Sequence, residues 1–442
     1  MFSRSEIKAL LMPVIFETLL SYLIGMADTV MVSSAGEAAV SAVSMVDAIS
    51  LLFIQIFMAL GAGGAAVCGQ YLGKKNTGMA KKAAGHLAVM LAFVSVIAAV
   101  LLLSYQTKLL DFLYGSAEKA VRDNCAVYYH IVMYSVPFIA LYNGLAAVFR
   151  ISGDSRTPLL ISIVMNVINI GGNALLVLVF KMGVAGVAIP TLVSRGIACL
   201  LIMIMAFRRS FELNIREIFT TRMDASLLRD ILRIGGPNGI EGGMFQFGKL
   251  ILMSLVSTLS TASITANAVG NAVGPLHAFI SISVNTVIIT VVSRCAGSGD
   301  YYQARWYMRY FLKFTIIWQG IVNVFLMLAI PLINRLYGLS SETSLIAAKV
   351  MIIHALPGIV LLPLSFQYNT AMRAAGDSEY AMWISSISMW LCRVAGAFLL
   401  VKYTNLGVLG VWIAWDIDWI FRICFFIPRY RGHKWEGKVV KG

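Results

Sequence analysis

Residues Pro13 to Val32 read PVIFETLLSYLIGMADTVMV. The run is apolar and long enough to cross a bilayer as a helix. It nevertheless carries two carboxylates, Glu17 and Asp28. They are eleven residues apart, and at about 100° per residue they return to nearly the same helix face, roughly 16 Å apart along the axis. Ser21 and Gly25 fall on the same stripe. A carboxylate inside a span is costly unless it faces protein or water, so two on one face point to function. The competing reading places both near the helix ends, snorkelling or paired structurally.

The rest of the composition agrees with a membrane environment. The 442 residues are 59% hydrophobic and 13% charged, against about 25% charged in a soluble domain. Continuous apolar runs exclude a transmembrane barrel, whose strands alternate. The reading is an all-α polytopic membrane protein. Spans are expected near 9–33, 44–72, 84–105, 125–150, 158–180, 184–207, 232–259, 268–295, 307–330, 347–373, 380–401 and 407–428.

A net charge of +14 raises the question of nucleic acid. The basic residues cluster instead in alternate short loops, as Lys74, Lys75, Lys81 and Lys82 do between spans two and three. That is the positive-inside pattern, which puts both termini in the cytoplasm and an anionic leaflet beside the basic loops. A multi-pass plasma-membrane protein is expected, monomeric, with no nucleic-acid partner. Six cysteines stand singly, with no CxxC or Cys/His cluster, so neither a metal centre nor a disulfide framework is expected.

The chain repeats itself. Pro13-x-x-x-Glu17 recurs as Pro237-x-x-x-Glu241, GQYLGKKN at 69–76 as SRCAGSGD at 293–300, RISGDS at 150–155 as RAAGDS at 373–378, and Gly183-x-x-Gly186 as Gly407-x-x-Gly410. All keep an offset of about 224, and a shared period outweighs any single motif. The expected organisation is a six-helix lobe over 1–207, a basic cytoplasmic connection over 208–231, and a second six-helix lobe with a basic tail over 232–442. Six spans per half insert the same way up, so a pseudo-two-fold axis along the membrane normal is expected, with a cavity between lobes.

Within that frame Glu17 and Glu241 are symmetry mates. Span seven also holds Gln246 and Lys249. A lysine at that depth needs a counter-ion, and Glu17 or Glu241 is the natural candidate. One reading is a Glu17–Glu241–Lys249 set exchanging a proton or cation as the lobes rock; the other is a structural salt bridge. Asn166, Asn169 and Asn173 share a face of span five, and Asn267, Asn271 and Asn285 form a stripe on span eight. Each stripe either lines a wet cavity or glues helices together. His277 follows Pro275 in span eight and joins the cavity candidates. Asp47 reads as solvated. Arg195, Arg393, Asp416, Asp418 and Arg422 read as structural, and each RxxGDS as a turn.

These residues resemble a known family. GMADTVMVSSAGEAAVSAVSMVD, with its acid in span one, is similar to the first span of multidrug and toxic compound extrusion (MATE) transporters. Twelve spans, the duplication, GQYLGKKN and RxxGDS are similar too, and the likeness covers nearly the whole chain. It implies a V-shaped pair of lobes and an antiporter that exports amphipathic, cationic drugs or toxic compounds in exchange for Na⁺ or H⁺, with no other cofactor. Asp28 matches the family's acid in span one and becomes a candidate for ion or proton coupling, with Na⁺ its one possible metal. The sodium-coupled branch carries a Glu where this chain has Phe245, and an acid in span ten where it offers Gln367 and Asn369. That shifts weight to Asp28 with the span-five asparagines, or to Glu17, Glu241 and Lys249.

The alternative within the superfold is a lipid-linked oligosaccharide flippase, whose cavity should be strongly basic to hold pyrophosphate. An intramembrane enzyme is disfavoured: the chain has no HExxH and no Cys/His cluster. It also lacks a Walker A sequence, which leaves ion coupling as the energy source.

Overall fold

The computed structural model describes residues 2–33, 36–115, 117–216 and 223–440, and the side chains of 26–30 and 33 lie outside that description. Among the described residues there is no β-strand. The first half holds α1 (Arg4–Ser33), α2 (Glu37–Gly73), α3 (Thr77–Ser104), α4 (Lys119–Met133 and Val136–Ser152), α5 (Arg156–Val179) and α6 (Ala185–Ala206). The second holds α7 (Ala225–Ser257), α8 (Thr261–Gly297), α9 (Tyr301–Leu328), α10 (Ser341–Gly358 and Leu361–Ala374), α11 (Ser378–Tyr403) and α12 (Val408–Arg431). All twelve expected spans are present as helices, six per half. Most start several residues earlier than the apolar runs, because polar turns extend them. In α12 the apolar run is interrupted by Asp416, Asp418 and Arg422.

The two halves repeat each other in detail. α4 bends by 45° and α10 by 51°. Pro137 stands just after the first break and Pro357 just before the second; proline removes an amide donor and crowds the preceding turn, so the helix kinks there. α5 and α11 each contain a π-helical stretch, Ala174–Val179 and Met389–Ala395. After α2 and α8 the chain turns through positive φ at Lys75 (59°) and Gly299 (75°). The next residue caps the following helix in both halves: Asn76 accepts from the Met79 amide and Asp300 from the Gln303 amide, each at 3.0 Å. Side-chain oxygens at this position satisfy amides that the first helical turn leaves unpaired.

The RxxGDS elements are the turns that the sequence suggests. Gly153 and Gly376 sit at φ 104° and 98°, a region that a Cβ disfavours. The amides of Asp154 and Asp377 return to Phe149 and Met372 at 3.0 and 2.9 Å, closing the helix in the same way twice.

In the first half α2 packs against both segments of α4, and α5 against α6. In the second α8 packs against both segments of α10, and α11 against α12. α2 buries Gly61, Gly63, Gly64, Ala65 and Ala66 on all sides, and small residues let helix backbones approach closely. The second half buries Leu252, Leu255, Val350, Val411 and Trp412 in one cluster.

The chain divides into compact units at Gly239–Ile240, inside α7, with residues 2 and 3 joining the second. That division lies beyond the expected connection at 208–231, because the start of α7 packs in the first unit. Leu227, Ile231 and Ile234 are buried there, and the Asp224 amide donates to His86 Nε2 on α3 at 2.8 Å. Asp224 in turn accepts the Ser226 hydroxyl at 2.7 Å and the Ser226 amide at 2.8 Å. Those bonds stabilise its charged form and hold this exposed carboxyl below the usual carboxylate range.

Candidate functional site

Polar sites lie within the spans of both halves. The first joins α1 to α4. Arg150 Nη2 donates to both oxygens of Glu17, at 2.7 and 2.8 Å. The arginine belongs to RISGDS, so the element read from sequence as a turn also supplies the counter-ion.

The second is its counterpart in the other half. Arg373 Nη1 lies 3.6 Å from Glu241 Oε2. Asn369 Nδ2 donates to Glu241 Oε1 at 3.0 Å and to the Ser385 hydroxyl at 3.1 Å. The expected Glu17–Glu241–Lys249 set therefore needs correcting, since each glutamate is engaged by the arginine of its own half. Lys249 has no carboxylate within 4.0 Å among the described residues. It rests on aromatic faces, with Nζ 5.1 Å from the Phe245 ring centre and 5.9 Å from that of Trp415. The cause is helical geometry: Glu241 and Lys249 are two turns apart, too far to meet. Gln246 lies half-buried one turn before Lys249.

The third site is a cavity of about 280 Å³ inside the first half, lined by residues of α1, α2, α4, α5 and α6. Its polar wall comprises Ser44, Asp47, Tyr128, Asn166, Asn169, Thr191, Ser194 and Arg195. Tyr128 donates its hydroxyl to Asp47 Oδ1 at 3.1 Å. Asn169 Nδ2 donates to Thr191 Oγ1 at 3.2 Å, and Asn166 Nδ2 to Ser162 Oγ at 3.3 Å. Arg195 Nη1 donates to the Ser135 hydroxyl at 2.8 Å. Asn173 is fully buried behind this wall, and its Nδ2 reaches Asn169 Oδ1 at 3.4 Å. The asparagine stripe of α5 thus does both jobs left open by the sequence: Asn166 and Asn169 face the cavity, while Asn173 packs. Asp28 lies outside the described side chains.

Asp47, read from sequence as solvated, is a half-buried wall of this cavity. Its position near the start of α2 concealed that, because the helix begins at Glu37, ten residues earlier. Asn271 returns its amide to the Asn267 carbonyl on its own helix at 2.9 Å. His277 is buried, with Nδ1 3.3 Å from Asn323 Oδ1. The sequence did carry a signal for Arg150 and Arg373: an arginine three residues before the turn glycine in both copies.

Comparison with known proteins places this geometry. Residues 13–175 and 237–399 each match the MatE family, so the family unit occurs twice and begins at the two prolines that open the repeat. The chain is 25% identical to the probable multidrug resistance protein NorM of Thermotoga maritima, over 99% of this chain and 94% of that one. It is 26% identical to the probable multidrug resistance protein YoeA of Bacillus subtilis, over 92% and 88%. A solved MATE transporter from Vibrio cholerae, VcmN, superposes with a TM-score of 0.90 at 18% identity, over 99% and 98%. The fold is therefore the twelve-helix, two-lobe transporter fold that the sequence led us to expect, and the chain belongs to the MatE family of membrane transporters.

Proposed function

We propose that the protein is a secondary antiporter that exports amphipathic organic compounds, cationic ones included, in exchange for Na⁺ or H⁺ by alternating access. The supporting observation is the cavity of the first half. A carboxylate, two amide side chains and four hydroxyls supply oxygen ligands from four helices around one space, with Arg195 beside them. Hard monovalent cations are bound by such oxygens, and a proton needs only the carboxylate. In sequence Asp28 falls three residues after Gly25 and four before Val32, both of which line the cavity. Asp28 and Asp47 are accordingly our coupling residues. Glu17 and Glu241 tie α1 to α4 and α7 to α10 through their arginines. The basic loops support a plasma-membrane protein with both termini cytoplasmic.

The test is efflux of a fluorescent cationic dye from vesicles containing the purified protein, with Na⁺ and pH gradients imposed one at a time. One gradient should drive dye movement and the other should not. If neither moves dye and a lipid-linked pyrophosphate binds instead, the flippase alternative replaces this reading.

A further inference from the structure

The second half contains a set of charges that ion coupling in the first half does not use. Arg393 on α11 is fully buried, as are Asp418 and Arg422 on α12, with Asp416 nearly so. Arg422 Nε donates to Asp418 Oδ1 at 2.9 Å, and the Ser388 hydroxyl donates to the same oxygen. The other oxygen lies 3.7 Å from Arg393 Nε, too long for a hydrogen bond. Among the described residues, Arg393 Nη1 reaches only the Met389 sulfur at 3.7 Å, while Nε and Nη2 are buried without a bond. Asp416 Oδ1 is likewise unbonded.

Lys249 on α7 adds a further positive charge. Its side chain is exposed, and it shares both of its rings with Arg393. The Arg393 guanidinium centre lies 3.8 Å from the Trp415 ring centre and 4.8 Å from that of Phe245. Two like charges are thus held against the same two rings, with His354 packed on Trp412 and Trp415 and His277 against His354. Three cations face two carboxylates. Ring quadrupoles attract cations but carry no net charge, so they leave the excess uncompensated. A structural ion cluster in a membrane neutralises itself. Among the described residues, this one sets no carboxylate within 4.0 Å of Lys249.

We propose that Lys249 and Arg393, flanked by Phe245 and Trp415, bind the anionic group of an amphipathic aromatic ligand, a carboxylate or a phosphate. Lys249 makes the contact. Arg393, fully buried behind the same rings, adds field. Phe245, half-buried beside Lys249, gives the ligand's ring an apolar surface to touch. Nothing in this site requires that the ligand be exchanged for an ion, so it stands apart from the antiport reading and extends the substrate class beyond cations.

The experiment is a binding titration followed by tryptophan fluorescence, on the full-length protein in phosphatidylcholine nanodiscs without any gradient. The probes are 1-naphthylacetate and its neutral amide. The acid should bind at least about tenfold more tightly than the amide. Lys249→Met should reduce the acid to the level of the amide, and Lys249→Arg should keep most of the preference. Arg393→Gln should also weaken the acid. If that buried substitution prevents folding, the two Lys249 variants carry the test, because that side chain is exposed. Equal binding of acid and amide, or acid binding unchanged in Lys249→Met, would overturn the proposal. Nanodiscs containing phosphatidylglycerol identify the source of the anion: competition with the acid points to a lipid phosphate, and its absence to a soluble ligand, the charge preference standing in both cases. Because no gradient is applied, failure here and failure of dye efflux are separate results.

Discussion

Arg150 clasps Glu17 through a single nitrogen, Nη2, which lies 2.7 and 2.8 Å from the two carboxylate oxygens. The equivalent pair, Arg373 with Glu241, is looser at 3.6 Å. The difference has a local cause. Asn369 holds one oxygen of Glu241, whereas the repeat places Ala146 at that position in the first half. Breaking a partly buried pair leaves its partner uncompensated. Glu17→Gln should therefore destabilise by about 2–3 kcal/mol. Glu241→Gln should cost about 1 kcal/mol, because its amide oxygen still accepts from Asn369. Thermal unfolding in detergent, with a double-mutant cycle against Arg150→Met, measures both. Zero coupling between Glu17 and Arg150, or the reverse ranking, would refute this account.

The start of α7 belongs to the first unit because two glycines let it approach α2. A Cβ on Gly63 would come within 2.7 Å of the Gly235 nitrogen and 2.9 Å of Asn238 Nδ2. Gly63→Ala should cost about 1–3 kcal/mol through overpacking. Gly171→Ala on α5 would meet nothing within 4 Å. It should be neutral or stabilising by up to about 1 kcal/mol, since alanine is the better helix former. Melting temperatures of the two variants, compared at equal expression, decide the matter. Similar losses in both would mean that the close approach does not govern stability.

The two turn glycines separate backbone strain from contact. Gly153 and Gly376 share a positive φ, but only Gly376 is covered: a Cβ there would lie 2.9 Å from the Lys438 carbonyl carbon. The tail is fixed at that point by Lys438 Nζ and Arg429 Nε, which bond Asp377 at 2.7 and 2.6 Å. Gly153→Ala should cost about 1–2 kcal/mol from the backbone alone. Gly376→Ala should cost a further 1–3 kcal/mol or so from the clash. In a chain ending at residue 431 the two substitutions should cost the same, as measured by unfolding against the matching truncated parent. A gap that persists without the tail would place the extra cost elsewhere.

What the sequence disclosed follows from the range of each signal. Hydropathy acts over one helix, so all twelve spans were legible. Their early starts, such as α7 at Ala225, were not, because an amphipathic turn continues a helix without adding apolar length. Duplication was legible because every motif kept one offset. The partners of the charges were not. Glu17 and Arg150 are 133 residues apart, and periodicity reports only neighbours three or four positions away. The repeat held enough information to pair them, since an arginine precedes both turn glycines, but it acquires meaning only once α1 is seen to reach α4. Lys249 shows the converse. The sequence reading gave it a carboxylate partner, whereas its neighbours are the rings of Phe245 and Trp415, which no charge count reveals.

Asp47 provides the sharpest test of the first-half cavity. It projects from α2 beside Asn166, Asn169 and Thr191, and it accepts the Tyr128 hydroxyl. Asp47→Asn preserves size and keeps an oxygen for Tyr128, while removing the charge that a cation or proton would neutralise. If Asp47 exchanges the coupling ion, this variant should slow gradient-driven dye efflux by about tenfold or more, equivalent to about 1.4 kcal/mol. Dye binding without a gradient should be unchanged. Tyr128→Phe, which removes one hydrogen bond and leaves the carboxylate, should slow efflux only a few-fold, in line with about 1 kcal/mol for such a bond. The two variants thus distinguish a charge that is exchanged from a wall that merely shapes the cavity. Should Asp47→Asn transport at the wild-type rate under the same single gradient, coupling must rest on another acid of the first half, and Asp28→Asn is then the variant to measure.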